Sequence, residues 1–196
     1  MEIMCVAHIY VKLRIVHSAP TIQTMNDFAA NLLGVVGLAV ADRIRQVARD
    51  TLNHVGETPA ALVVIGYDLG PSNDQLRRIL NLSHPGSVRL VERLVADGLV
   101  ERRDGRDKRA VALYLTKQGK QVRKTLLKER LAAVRPFLAS LTDAEIETLT
   151  ELLRKMLSSL ETTDLERCTL CRLCDDSVCT NCPIPADFRG ERAQES

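Results

Sequence analysis

Residues 72–115 constrain the fold most strongly, because helix caps, helix stops and strand patterns follow one another there at short intervals. Ser72 and Gln75 form a Ser-x-x-Gln capping box, and Ser83 is a second serine cap. Asp97-Gly98 is a helix stop, and two strand-like runs follow at 99–103 and 110–115. This order predicts a helix, a tight turn, a second helix and a β-hairpin whose turn is crowded with charge.

Long helices are predicted on both sides of this segment. An apolar stripe predicts a helix from residue 26 to about residue 53, and Thr58-Pro59 predicts a shorter one with Thr58 as its N-cap. Thr116 caps a basic helix over 117–133, and a Thr-x-x-Glu capping box at Thr142 opens another. The last helix has apolar residues at near-heptad spacing, namely Ile146, Leu149, Leu153, Met156 and Leu160. This face is either intrachain core or a dimer seam, and the unburied apolar surface of the first helix favours the seam.

Composition agrees with a helical core. The chain of 196 residues is 45% hydrophobic but only 3% aromatic and has no Trp, so Leu, Val and Ala must fill the interior. We predict a mostly α fold with a small β-hairpin wing (α+β), a winged helix-turn-helix with long N- and C-terminal dimerisation helices. The predicted parts are a poorly ordered leader (1–24), an N-terminal dimerisation helix (25–57), a DNA-binding head (58–116), C-terminal dimerisation helices (117–162) and a Cys-rich tail (163–196).

Positive charge is concentrated in one part of the chain. Residues 99–136 hold twelve Lys or Arg and four Asp or Glu, although the net charge of the whole chain is only +2. This block is either a phosphate-binding surface or a solvated helix face. In the first case, the helix opened by Ser83 enters a major groove and the hairpin tip contacts phosphates or the adjacent minor groove. The predicted DNA-binding residues are Ser83, His84, Ser87, Arg89, Arg93, Arg106, Asp107, Lys108 and Arg109.

These segments resemble the multiple antibiotic resistance regulator (MarR) family. Residues 82–94 are similar to its recognition helix, and residues 107–119 resemble its wing motif, D-x-R followed by L-T-x-x-G. The resemblance covers about 27–160 and implies a homodimer joined by the first and last helices. It also implies binding to a pseudo-palindromic operator in double-stranded DNA, usually by a repressor that a small ligand or oxidation releases. Arg109 corresponds to the family's minor-groove arginine, and Asp107 to the acid that orients it.

A cysteine-rich tail, absent from most members of that family, holds five cysteines within fifteen residues. Two CxxC pairs can direct four thiolates at one ion, so Cys171, Cys174, Cys179 and Cys182 are the predicted ligands, with Cys168 as a spare. Zinc is one candidate cofactor. An iron–sulfur cluster is another, although the spacing after CxxCxxC differs from the ferredoxin pattern. Free or disulfide-switching thiols, with no cofactor, are the third candidate.

Other classes of protein are disfavoured. The sequence has no Gly-rich phosphate loop and no H-E-x-x-H motif, so we do not expect an enzyme. It has neither an apolar run of about 20 residues nor the pattern of a signal peptide, so we expect a cytoplasmic protein that is not in the membrane. The predicted function is a sequence-specific transcriptional regulator that responds to a small-molecule effector or to the metal or redox state of the cysteines. The alternative is a metal-dependent protein-interaction module that uses its winged helix for protein contacts.

Overall fold

A computed structural model of the chain describes residues 22–52, 56–67, 69–104, 111–179 and 181–185. The chain forms two compact units, one that ends at Ala39 and one that begins at Val40. Helix α1 (Ile22–Leu52) starts four residues before its predicted start and continues past the boundary between the units. Residues 1–21 of the predicted leader lie outside the described residues.

The predicted order of elements is confirmed in the second unit. The elements after α1 are α2 (Thr58–Ile65), α3 (Asn73–Ile79), α4 (His84–Ala96), β1 (Val100–Asp104), β2 (Val111–Leu115), α5 (Lys117–Val134), a 3-10 turn (Arg135–Leu138), α6 (Asp143–Ser158) and α7 (Asp164–Leu170). Over the described residues the fold is therefore mostly helical with one two-stranded antiparallel sheet, as the sequence predicts. No helix in the described ranges has the length and apolar character of a membrane span.

Side-chain caps fix most of the helix starts. Ser72 and Gln75 form the predicted capping box on α3, and Ser83 accepts from the backbone N–H of Gly86 at the start of α4. The predicted cap at Thr58 is wrong, because the N-cap of α2 is Glu57 and Thr58 already lies in the first turn. All eight residues of α2 are buried, so packing rather than a cap determines where this helix begins.

The hairpin is joined to its neighbours by backbone contacts. Strands β1 and β2 pair from Val100 opposite Leu115 to Asp104 opposite Val111. Thr116 caps α5 by accepting from the backbone N–H of Gly119, and its hydroxyl donates to the carbonyl oxygen of Gly98 at 2.6 Å. A Cβ atom on Gly119 would lie 2.0 Å from the carbonyl oxygen of Leu99, so only glycine fits there. The L-T-x-x-G motif is thus the junction between wing and helix.

The core of the second unit surrounds α2. Its largest fully buried apolar side chains come from α2, α3, α4, β1 and β2, namely Leu62, Val63, Ile65, Leu76, Val91, Leu94, Val100 and Leu113. Helix α6 buries no residue. On α6 the exposed large apolar side chains are Leu152, Leu153, Met156 and Leu157, and on α1 they are Met25, Phe28, Leu32, Leu33, Val35, Val36 and Leu38. Both helices therefore have exposed apolar surface.

Candidate nucleic-acid interface and cysteine site

The turn between α3 and α4 sets the position of the predicted recognition helix. Asn81 has a φ of +52°, in the left-handed region that Asn tolerates better than most residues. The backbone N–H of Leu82 donates to the carbonyl oxygen of Arg77 at 2.9 Å, which closes the end of α3. Leu76 of α3, its C-cap Leu80 and Leu90 of α4 are all buried. Helix α4 is thus held at a defined angle to α3.

Helix α4 has one face in the core and one in solvent. The buried face consists of Ser87, Leu90, Val91 and Leu94. Ser83, His84, Arg89 and Arg93 are exposed, as expected for residues that contact DNA. The side chain of Ser83 is also the cap of the helix. The structure therefore leaves these four predicted DNA-binding residues accessible, and their contact with DNA stays a prediction.

Ser87 was predicted to contact DNA, and the structure corrects this. Its side chain is fully buried. Its hydroxyl donates to the carbonyl oxygen of His84 at 3.0 Å and accepts from the side-chain amide of Asn73 at 3.2 Å. Because Ser87 precedes Leu90 and Val91 by three and four residues, the helical period places it on their face. Ser87 links α4 to α3.

The hairpin adds exposed arginines that the sequence analysis did not select. Arg102 and Arg103 lie exposed on β1, and the guanidinium of Arg103 stands 4.7 Å from the ring centroid of Tyr114 while pairing with Glu101. Stacking on an aromatic ring restrains an arginine without removing its charge. The predicted wing-tip residues Arg106, Asp107, Lys108 and Arg109 lie outside the described residues.

Helix α7 was not predicted. Thr163 and Glu166 form a capping box, and the hydrogen bonds from the backbone and side chain of Thr163 lower the pKa of Glu166. The Thr-x-x-Glu spacing was the pattern that would have revealed this helix. Cys168 lies on α7 and Cys171 is its C-cap, so the helix delivers the first cysteines to the site.

The four predicted ligands lie in two pairs. Besides burial, the neighbouring Cys182 raises the pKa of the Cys171 thiol, and the neighbouring Cys179 raises that of Cys174. With Cys168 they line a cavity of about 620 Å³ between α2, α3 and α7. Within the described ranges, no three His, Cys, Asp or Glu side chains are arranged in a form that could hold a metal ion. The structure thus shows paired thiols around one cavity.

Local charge acts differently on these thiols. Burial, together with the neighbouring Cys179, raises the pKa of Cys174 to about 11. Burial also opposes ionisation of Cys182, but contacts with the Ile184 backbone and with Arg167 outweigh it and lower the pKa of that thiol. The thiol of Cys182 therefore ionises more readily than that of Cys174.

The tail is docked on the rest of the second unit. The Tyr67 hydroxyl donates to the carbonyl oxygens of both Cys171 and Cys174, at 3.1 and 3.2 Å. Burial raises the pKa of Tyr67, so this group remains a donor at neutral pH. Arg123 pairs with Asp176 at 2.9 Å. The contact of Tyr67 with the cysteine segment could not be predicted from residue spacing, because Tyr67 lies 104 residues before Cys171.

Part of the chain matches a known family, and a larger part is similar in fold to solved structures. Residues 51–110 match the family model described as MarR family. Apo wild-type MarR from E. coli has a TM-score of 0.57 and 24% identity, over 65% of this chain and 95% of that chain. A MarR family protein from Bacillus stearothermophilus has a TM-score of 0.61 and 21% identity, over 70% and 96%. A mutant of S. aureus MepR bound to an oligodeoxyribonucleotide has a TM-score of 0.52 and 20% identity, over 68% and 98%. No curated protein sequence matches the chain.

Proposed function

We propose, from the match of residues 51–110 to the MarR family model and the likeness in fold to solved MarR structures, that this chain is a transcriptional regulator. In its simplest form it is a repressor that binds double-stranded operator DNA as a homodimer. Members of this family are transcription regulators and not enzymes, in agreement with the lack of catalytic motifs. The observation that carries the proposal is the solvent face of α4. His84, Arg89 and Arg93 are exposed there, on a helix that Ser87 anchors to α3 from the opposite side.

This face suits the major groove. A helix fits that groove, and arginine can donate two hydrogen bonds to the acceptors of guanine. The S. aureus MepR mutant with the same fold is bound to an oligodeoxyribonucleotide, which supports DNA as the ligand. From the sequence, Arg106, Lys108 and Arg109 would contact phosphates or the minor groove beside it, with Asp107 orienting Arg109.

The homodimer is supported by two apolar surfaces. On α1, Phe28 is 65% and Leu38 is 67% exposed, and on α6, Leu153 and Met156 are 42% and 44% exposed. Large apolar side chains at helical spacing that one chain leaves in water are typical of subunit interfaces. A two-fold dimer would present two α4 helices to two half-sites of a pseudo-palindrome, about 34 Å apart.

Substitution of Arg89 tests the DNA-binding face. We expect Arg89→Ala to weaken binding to an operator selected from random DNA by about 10- to 100-fold, since a bidentate base contact is worth ~1–3 kcal/mol. The matched control is Arg45→Ala, which removes an exposed arginine of α1 that pairs with Asp42. Fluorescence anisotropy at one fixed salt concentration measures both variants.

If Arg89→Ala combined with Arg109→Ala retains specific binding, the assignment of the DNA-reading residues is wrong. If the wild-type chain prefers no DNA sequence, the protein-interaction module is the better proposal.

We also propose that Cys171, Cys174, Cys179 and Cys182 hold a metal, with zinc as the first candidate and an iron–sulfur cluster as the second. The donor chemistry suits a metal, because four thiolates are a common zinc ligand set. Binding would require the two thiol pairs to move together, because the described side chains are not arranged to hold an ion. Two buried guanidinium Nε–H groups, of Arg130 and Arg167, lack hydrogen-bond partners in the described structure. Arg130 acts electrostatically on Cys174, and Arg167 on Cys171 and Cys182. Their positive charge would balance the negative charge of a metal–thiolate centre. The metal, when bound, would stabilise the fold of the short tail.

The metal proposal is tested on protein purified without oxygen. We expect a bound metal that the Cys174→Ser variant loses and the Cys168→Ser variant keeps, because Cys168 is not one of the paired thiols. Elemental analysis identifies zinc, and a visible absorption spectrum reveals an iron–sulfur cluster. A colourless, metal-free wild-type protein would overturn the metal site.

The regulatory signal is, in this proposal, either a small molecule or the state of these cysteines. The cavity of about 620 Å³ has the size of a small-molecule site, for which about 300–1,000 Å³ is usual. If neither chelation nor thiol oxidation changes DNA binding, the cysteines are not the sensor.

A further inference from the structure

The cysteine loop, residues 171–182, contacts the DNA-binding head partly through a tyrosine side chain that reaches both ends of one CxxC turn. The Tyr67 hydroxyl lies two residues beyond the end of α2 and donates to the carbonyl oxygens of Cys171 and Cys174. These carbonyls bracket a CxxC turn, so a single hydroxyl can reach both only while that turn keeps its present conformation. Any event that rotates the Cys171–Cys174 backbone therefore breaks at least one of the two hydrogen bonds.

Arginine contacts hold Tyr67 in this position. The guanidinium of Arg123 stands 5.3 Å from the ring centroid of Tyr67 and pairs with Asp176 of the cysteine loop. The Arg123 side chain also packs against Gly66, where an added Cβ would lie 2.2 Å from it. Tyr67 is thus clamped between α5 and the loop.

A second contact leads from the tail toward α4. The Thr169 hydroxyl on α7 donates to the carbonyl oxygen of Ile79, the last residue of α3, at 3.0 Å. Ile79 directly precedes the turn through Asn81 that sets the start of α4. While α7 keeps this contact, it holds the end of α3 next to the turn that sets the direction of α4.

We propose that Tyr67 is the positioning residue through which the state of the cysteine loop controls the DNA-binding helices. The inference rests on the proposed function, since it needs DNA binding that responds to the cysteines. With the loop in its docked conformation, Tyr67 and Thr169 keep α3 in place and DNA affinity is high. Oxidation of two neighbouring thiols to a disulfide, with the two electrons and two protons taken up by an oxidant such as the diazene diamide, changes the CxxC turn, releases Tyr67 and lowers the affinity. Loss of a bound metal would act in the same way. Such coupling between two sites commonly amounts to about 5- to 150-fold in affinity.

The Tyr67→Phe variant tests the proposal, because it keeps the ring against Arg123 and removes only the hydroxyl. DNA affinity is measured before and after EDTA, and separately before and after diamide oxidation. We expect the wild type to weaken by about 5- to 150-fold on the effective treatment. Tyr67→Phe should start weaker and show no further change. Tyr114→Phe, which removes a phenol from β2, should respond as the wild type does.

Hydrogen–deuterium exchange gives a readout that does not need DNA. Tyr67→Phe should raise amide exchange both in the cysteine loop and in residues 79–82, and Thr169→Val should raise it in residues 79–82. A Tyr67→Phe protein with wild-type exchange and a wild-type response to treatment would overturn the inference and leave the proposed function standing. A wild type that ignores both treatments would overturn sensing by the cysteines and this coupling together. A wild type that binds no DNA would overturn the proposed function, and exchange would still show whether Tyr67 docks the loop.

Discussion

Ser87 and Gly119 lie within the segment that resembles a DNA-binding motif, yet each has a structural task. The Ser87 hydroxyl satisfies the Asn73 amide in the interface between α3 and α4. Gly119 leaves room for the carbonyl oxygen of Leu99 where the wing meets α5. Residues of a family motif can thus position the reading face without contacting the ligand.

The Ser87→Ala variant should therefore lose stability rather than specificity. Removing the hydroxyl leaves the half-buried amide donor of Asn73 without this partner, which costs at most about 1–3 kcal/mol of unfolding free energy. Urea denaturation measures this loss. The control is Ser158→Ala on α6, where an exposed hydroxyl donates to the carbonyl oxygen of Lys155 and little change is expected. Lost operator affinity at unchanged stability would show that Ser87 contacts DNA after all.

At the scale of elements, local sequence predicted helix starts wherever a side chain makes the cap. Ser72, Ser83, Thr116 and Thr142 all cap the helices assigned to them. The cap at Thr58 failed because α2 is buried throughout, and its start depends on contacts from distant segments. Helix α7 was missed although its capping box is visible in the sequence.

The cysteine site could be predicted only in part for the same reason. Spacing identified Cys171, Cys174, Cys179 and Cys182, since two CxxC pairs are a local pattern. The pairing of Cys171 with Cys182, and the anchoring by Tyr67 and Arg123, depend on how the tail folds back. The helical period places Ser87 on the buried face with Leu90 and Val91, and the prediction that it contacts DNA gave its polarity more weight than this position.

Helix α6 gives a prediction about assembly. A Leu153→Glu variant should dissociate the dimer, because burying a leucine contributes about 1.5–3 kcal/mol and each subunit would lose one while gaining a charge. Sedimentation equilibrium measures the change in the monomer–dimer constant. Ser158→Glu, which adds the same charge to the same helix at an exposed polar position, should leave the dimer intact. Unchanged dimerisation of Leu153→Glu would exclude this face of α6 from the interface.

At the scale of the whole molecule, three features have to act together. Helix α4 has an exposed basic face, α1 and α6 have exposed apolar surfaces, and α7, which leads into the cysteine loop, contacts the end of α3 through Thr169. A dimer would bring two reading faces to one DNA, and the loop would adjust both in the same way. Cysteine chemistry would therefore act on DNA affinity through contacts within each chain.

A hydroxyl-radical footprint on an operator selected from random-sequence DNA, combined with the mass of the complex in solution, shows whether two chains bind one operator through α4. We predict two chains per operator and two protected half-sites whose centres lie about 34 Å, or one helical turn, apart. Arg89→Ala should abolish both protections together. A single chain on a single protected site, or protection without sequence preference, would contradict dimeric recognition of an operator through α4.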